Sequence, residues 1–375
     1  MKILHVIQSL DPKLGGLPAA LKGLIAVENE LGINHDILST ISNFEEKDFP
    51  NSRFFLFSKT FPKRFNKSKQ ALHFLKDNIR KYDLLVIHSV WTLIGYESAR
   101  IAKRFNVPYV IWPHGSLDPF DLQKKSMLKK ILGPIFIRSL LSNASYVCNT
   151  SQIEANKLET YNSDVIKKVL PLPIIIESVN GSRDRFRENY NYKKEDFVLL
   201  FLSRINYKKG LNIIVEALSK IQEKYPYVKL FIAGSGDKTY LNKLKDWIVD
   251  YKLQDKVILG GQLSGQNKAD AFLGSDLFVL PSLNENFGLA IFEALYYGLP
   301  VMISNNVYTW QEIVKNSAGW VCDYSVESFS EKLIQILHDR PDIEEKKKQS
   351  LIFAKKYTPG GLMNIYMQFY SKYTN

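Results

Sequence analysis

The chain has 375 residues, 45% hydrophobic and 13% aromatic, which is enough apolar material for two domain-sized cores. Its net charge is +12, and no apolar run is long enough to span a bilayer. Met1-Lys2 leads straight into a strand-like run, so neither a transmembrane segment nor a secretory signal is expected.

The charge is uneven. Residues 1–170 hold 24 Lys and Arg against 15 Asp and Glu, a net +9. A basic half suits anionic ligands or an anionic membrane surface. No nucleic-acid-binding signature accompanies it, so nucleic acid is not an expected partner. Cys148 and Cys322 lie far apart on apolar segments and read as free buried thiols, in keeping with a reducing cytoplasm. No Cys/His cluster has metal-site spacing, and no metal is expected.

Lys2–Ser9 reads as a buried strand. Gly15-Gly16 closes the loop after it, and Leu17–Leu31 reads as an amphipathic helix stopped by Gly32. With a strand at Asp36–Thr40 this is a βαβ opening, and a paired glycine at its first turn allows backbone N–H groups to face a phosphate or a sugar. A plain tight turn fits the same residues. The alternation continues through strands at Phe54–Phe57, Leu84–His88 and Val107–Trp112, with helices at Lys67–Lys81 and Leu93–Arg104. His114-Gly115 follows the last of these strands, at the edge where parallel sheets bind ligands. Asp118 is placed to position a hydroxyl, and His88 and Trp91 to line an acceptor. Leu122–Leu141 interleaves Lys124, Lys125, Lys129 and Lys130 with apolar residues. It reads either as a helix packed on the first sheet or as a basic amphipathic helix for peripheral contact with an anionic bilayer.

Pro171, Pro173 and the polar run Glu177–Arg187 read as an interdomain linker. Strand Phe197–Leu202 opens the second domain. It runs into Arg204 and Lys209, two cations before a helix start near Leu211; both can reach a diphosphate, and a solvated basic turn is the bland alternative. Strands at Val228–Ala233 and Val257–Leu259 follow, the latter leading to Gln262-Leu263. The stretch Leu280–Val301, LPSLNENFGLAIFEALYYGLPV, combines a strand end, a polar loop holding Glu285, a glycine at a helix start, and Glu293 inside that helix. An exposed helix N-terminus beside carboxylates suits a ligand carrying both phosphates and hydroxyls. Strands Val301–Ser304 and Gly319–Cys322 and three helices complete the chain, and the last helix has an apolar face of Tyr366, Phe369 and Tyr370.

Gly15-Gly16, His114-Gly115, Arg204 with Lys209, and Glu285 with Glu293, in that order, resemble the signature of retaining glycosyltransferases of family 4. The loop Asn305–Trp310 departs from it in being bulkier. The resemblance implies an α/β chain with the B-type glycosyltransferase fold: two Rossmann-like doubly wound domains facing across a cleft. Residues 1–175 would form the acceptor side with a C-terminal helix, 357–375, packed back on it, and 185–356 would bind the nucleotide-sugar. It implies transfer of a sugar from a nucleotide-sugar, UDP-hexose favoured over GDP-hexose, to a glycan or lipid-linked acceptor, with no metal or other cofactor. His114, Arg204, Lys209 and Glu285 would be catalytic. Gly15, Gly16, Gln262, Leu263, Asn286, Phe287, Gly288, Leu289 and Glu293 would bind the donor. The setting implied is the cytoplasm or the inner face of its membrane. An epimerase of the same fold and a non-catalytic nucleotide-sugar-binding protein remain as alternatives.

Overall fold

The computed structural model describes residues 1–61, 66–118, 136–158 and 165–374. The chain divides into two compact units, Met1–Ile175 with Tyr357–Asn375, and Ile176–Lys356.

The first unit is built on a parallel sheet. Among the described residues its strands are β1 (Lys2–Ile7), β2 (Asn34–Thr40), β3 (Arg53–Phe57), β4 (Leu84–His88), β5 (Tyr109–Trp112), β6 (Tyr146–Asn149) and β7 (Lys167–Val169). Their order is β3-β2-β1-β4-β5-β6-β7, so the winding reverses between β1 and β4. Continuous apolar runs such as ILHVI and LLVIH make strands buried on both faces, as parallel sheets require. Alternate residues enter separate clusters. Leu4 and Val6 pack with Leu85, Ile87, Ile94 and Ala99. Ile7 packs with Leu21 and Ile25 of the helix Gly16–Glu30. The last helix, Pro359–Tyr370, lies against that same helix. Its Tyr366 hydroxyl donates to the Pro171 carbonyl at 2.9 Å, and its Tyr370 hydroxyl donates to Glu28 at 2.6 Å.

The second unit is a parallel sheet of β8 (Phe197–Leu202), β9 (Val228–Ala233), β10 (Val257–Gly261), β11 (Leu277–Leu280), β12 (Val301–Ser304) and β13 (Gly319–Cys322). The order β10-β9-β8-β11-β12-β13 reverses between β8 and β11. Two readings of the sequence change here. Glu177–Arg187 is not simply a linker, because Arg183–Asn189 is a helix capped by Ser182. It buries Phe186, and its Arg185 forks onto the buried Asp270 at 2.6 Å through both Nε and Nη2. Helices at Lys238–Asp250, Gly265–Gly274 and Trp310–Lys315 add to those anticipated. Most of Leu122–Leu141 lies outside the described residues. Residues 136–142 are helical and bury Ile137, Leu140 and Leu141. Cys148 and Cys322 are both free and buried.

Gly210 adopts φ +74°, and a Cβ there would overlap the Pro281 carbonyl oxygen. Gly16 has nothing within 4 Å of the same position. Gly210→Ala is therefore expected to cost at least about 2 kcal/mol, or about 4–8 °C in melting temperature, while Gly16→Ala leaves melting unchanged or slightly raised. Thermal denaturation of the two variants checks this. Equal melting for Gly210→Ala and the unmutated chain would show that the loop can yield.

Candidate functional site

In open parallel sheets ligands bind beyond the carboxyl ends of the strands where the order reverses. In the second unit that place is between β8 and β11. The loops there are joined through their backbones. Leu283 N–H donates to the Lys208 carbonyl at 2.7 Å, linking the loop after β11 to the loop after β8. Ile205 N–H donates to the Ser235 carbonyl at 2.8 Å, and Gly234 N–H to the Gly261 carbonyl at 2.7 Å. Tyr308 N–H donates to the Glu285 carbonyl at 2.9 Å. Side chains on these loops therefore stand on a fixed rim.

On that rim Lys209 and Glu285, 76 residues apart, meet as an ion pair. Both are largely sheltered, with side chains 10% and 17% exposed. Arg204 stays exposed in the same loop as Lys209. Glu293 is not beside Glu285's partner; it pairs with Lys268 at 2.8 Å, a cation on the helix Gly265–Gly274 that the sequence reading missed. Its signal would have been a lone lysine near the start of a helix whose one other charge is Asp270. Gly288 takes φ +77° and opens the helix Leu289–Tyr296, whose first N–H groups lack intrahelical acceptors. The Asn286 Oδ1 is buried and has no hydrogen-bond partner among the described residues, which leaves an acceptor for a ligand. Phe287 is buried and stacks on Phe292 at 4.4 Å, so its ring belongs to the core and only its backbone is at the rim. Gln262 is exposed and Leu263 half-buried just beyond β10. In the bulky Asn305–Trp310 loop, the Tyr308 hydroxyl accepts from Asn284 Nδ2 at 2.8 Å.

In the first unit the reversal lies between β1 and β4. Gly15, with φ +72°, and Gly16 follow β1 and begin the helix Gly16–Glu30. His114 follows β5 in a left-handed turn, φ +49°, continued by Gly115. Glu154 holds that turn, accepting from Gly115 N–H at 2.9 Å and from Thr150 N–H at 2.7 Å. His88 does not line an open surface: it is buried, with Nδ1 3.0 Å from His114 Nε2 and Nε2 3.0 Å from His5 Nδ1. Asp118 is likewise turned inward, buried and paired with Lys157 at 3.1 Å, rather than free to position a hydroxyl. Trp91 Nε1 donates to the Ser116 carbonyl at 2.7 Å. Burial drives the His88 ring well below its ordinary pKa and lowers His114 to about 3. Among the described residues no three His, Cys, Asp or Glu side chains stand together as metal ligands.

Residues 182–355 match the family model described as Glycosyl transferases group 1. The alpha-monoglucosyldiacylglycerol synthase of Streptococcus pneumoniae is 25% identical over 275 residues, 71% of this chain and 62% of that protein. The matched region thus spans less than two thirds of that relative. Sucrose-phosphate synthase from Thermosynechococcus elongatus has the same fold at TM-score 0.82 and 18% identity, over 99% of this chain and 98% of that one. The Anabaena protein HepE in complex with UDP-glucose gives 0.81 at 18% identity, over 99% and 100%. The two sheets are those of the B-type glycosyltransferase fold. Over residues 182–355 the second unit is thus similar to the group 1 glycosyl transferases.

The histidines of the first unit give a pH dependence. Burial lowers His35, His88 and His114 from their ordinary value. Below about pH 6.5 the unfolded chain binds protons that the folded chain does not, so stability falls as pH falls towards the depressed values. Each ring contributes up to about 1.4 kcal/mol per pH unit. Denaturant unfolding is expected to lose more than about 2 kcal/mol between pH 7 and pH 5. Unchanged stability would mean that these rings carry charge in the folded protein.

Proposed function

We propose that the protein is a retaining glycosyltransferase of family 4 that moves a hexose from a nucleotide-sugar, UDP-linked in preference to GDP-linked, to a glycan or lipid-linked acceptor. The observation that carries this reading is the meeting of Lys209 and Glu285, with Arg204 in the same loop, at the switch point of the second sheet. A diphosphate arriving there brings more negative charge than Glu285 and can take Lys209 from it. Arg204 and Lys209 then stabilise the charge that grows on the leaving diphosphate, where preorganised electrostatics lower a barrier most. Glu285, released from its ion pair, accepts hydroxyls of the transferred sugar together with the backbone at Asn286–Leu289. Glu293 holds ribose hydroxyls, a role that requires sharing with Lys268. Gly15 and Gly16 give backbone approach to the ligand, Gln262 and Leu263 meet the base, and His114 meets the sugar. The diphosphate acts as base for the acceptor hydroxyl, and attack is on the face from which it departs.

The UDP-glucose bound to HepE supports a UDP-hexose donor, and the name of the pneumococcal relative supports a lipid-linked acceptor. A peripheral contact of 122–141 with the inner face of an anionic membrane belongs to the same reading. An epimerase would convert the donor without any acceptor, and a binding protein would leave it intact, so donor turnover with and without acceptors separates the three.

Lys209→Ala and Arg204→Ala are each expected to lower turnover about a hundredfold, the loss of about 3 kcal/mol of stabilisation of a developing anion. Circular dichroism should show both folded. Near-normal rates in either would remove that residue from the diphosphate.

The cations and the helix start do the work that a divalent metal does elsewhere. Turnover is accordingly expected to persist in EDTA. Abolition by EDTA with recovery on adding Mg2+ or Mn2+ would overturn the metal-free assignment.

A further inference from the structure

Four side chains of the first unit, with Glu28, His5 and His88 buried and His114 half-buried, form an unbroken hydrogen-bonded line. Glu28 has no exposed surface, and its Oε2 and Oε1 lie 2.9 and 3.1 Å from His5 Nε2. His5 Nδ1 lies 3.0 Å from His88 Nε2, and His88 Nδ1 lies 3.0 Å from His114 Nε2. The rings are stacked as well, 5.3 Å apart at each step, with Trp112 against the outer face of His114 at 5.7 Å. The line begins on the helix Gly16–Glu30, crosses β1 and β4 at the point where the sheet order reverses, and ends on the loop after β5.

An imidazole–imidazole hydrogen bond needs one N–H and one lone pair, so choosing the proton on one ring chooses it on all. Glu28 makes the choice. Two donors converge on it, His5 Nε2 and the Tyr370 hydroxyl at 2.6 Å, while His35 Nδ1, 3.5 Å away, hydrogen-bonds the Ile33 carbonyl at 3.3 Å. A carboxylate accepts from both, because it is acceptor-only. Tyr366 also faces this group, with Cys148 beside Tyr366; burial pushes both up in pKa, and both are uncharged. Given a carboxylate, His5 carries its proton on Nε2 and offers Nδ1 as an acceptor. His88 must then donate from Nε2, and His114 must donate from Nε2 in turn.

We propose that Glu28 is a positioning residue that acts through His5 and His88 to fix His114 as its Nε2–H tautomer, so that His114 Nδ1 presents a lone pair to a hydroxyl-bearing ligand. The hydroxyl-bearing ligand rests on the glycosyltransferase reading; the tautomer does not. The consequence is selectivity for a group that can donate. A sugar hydroxyl satisfies Nδ1, whereas a carbonyl or ether oxygen in its place is repelled by the lone pair.

The chain has six histidines, few enough for long-range 1H–15N spectra of the 15N-histidine-labelled protein, with single His→Phe variants for assignment. At pH 7.5, without ligand, His5, His88 and His114 are all expected as neutral Nε2–H tautomers. Glu28→Gln removes the acceptor-only anchor and is expected to turn His114 into a mixture of tautomers, although Glu28 does not touch it. If Glu28→Gln does not fold, His5→Phe interrupts the line one step later and gives the same expectation. An Nδ1–H tautomer or an imidazolium at His5, His88 or His114 in the unmutated protein would overturn the proposal, as would a His114 unchanged in a folded Glu28→Gln. Donor turnover is measured on the same samples. Correct tautomers without any turnover would reject the glycosyltransferase reading and leave the relay standing.

Discussion

A carboxylate with no exposed surface must be surrounded by donors or it does not stay charged. Glu28 meets that requirement by drawing donors from two separate parts of the first unit: His5 of β1 and Tyr370 of the last helix. Removing a partner from a buried charge typically costs about 3–5 kcal/mol. The helix Pro359–Tyr370, which enters the chain some 330 residues after Glu28, is thus fixed by more than its apolar face. The same carboxylate governs the line of rings that ends at the carboxyl edge of the sheet. One buried charge accounts for the seat of the C-terminal helix and for the state of the histidine at the ligand edge.

The second unit shows the complementary constraint, which falls on the backbone. Its central strands β8, β11 and β12 are buried on both faces, so polar groups gather where these strands end. There the loops come so close that side chains are excluded: a Cβ on Gly210, Gly234 or Gly236 would overlap a carbonyl oxygen of a neighbouring loop. Direct N–H to C=O bonds between the loops use that proximity. The loops are irregular in conformation yet held as firmly as the sheet, and this is what brings Lys209 to Glu285 across 76 residues of sequence.

Strands and their order of use were legible because burial on two faces writes a continuous apolar run. Leu84–His88, Phe197–Leu202, Val228–Ala233 and Val301–Ser304 have the same limits in sequence and structure. Partnership was much less legible. Glu177–Arg187 reads as a linker because it is polar, but its arginines answer carboxylates on Asp270 and Asp276, roughly ninety residues away, and no local pattern reveals that. His88 at a strand end reads as a ligand contact for the same reason. Its partners are His5 and His114, and the one available hint was a histidine inside the apolar run of β1 matched by a glutamate on an otherwise apolar stretch of helix. Asp118, taken for a site residue by its nearness to His114, has Lys157 as its partner.

The Glu28 cluster and the rim pairs of the second unit differ in how completely they bury their charges, and that difference sorts architecture from chemistry. Glu28 and His5 have no exposed side-chain surface, so no solute can compete for them and their pairing lasts as long as the fold. The pairs on the rim of the second unit keep an open side: 10% and 17% for Lys209 and Glu285, 27% and 16% for Lys268 and Glu293. At such depth an ion pair is strong enough to hold both side chains in place, yet an incoming anion can still reach the lysine. Exchange replaces one charged partner by another, so neither lysine is left bare in a low dielectric, which is the step that would otherwise cost most. A fully exposed pair would hold nothing in place, and a fully buried one could not change partner. Partial burial is the condition under which a salt bridge keeps a site assembled and still gives it up to a ligand.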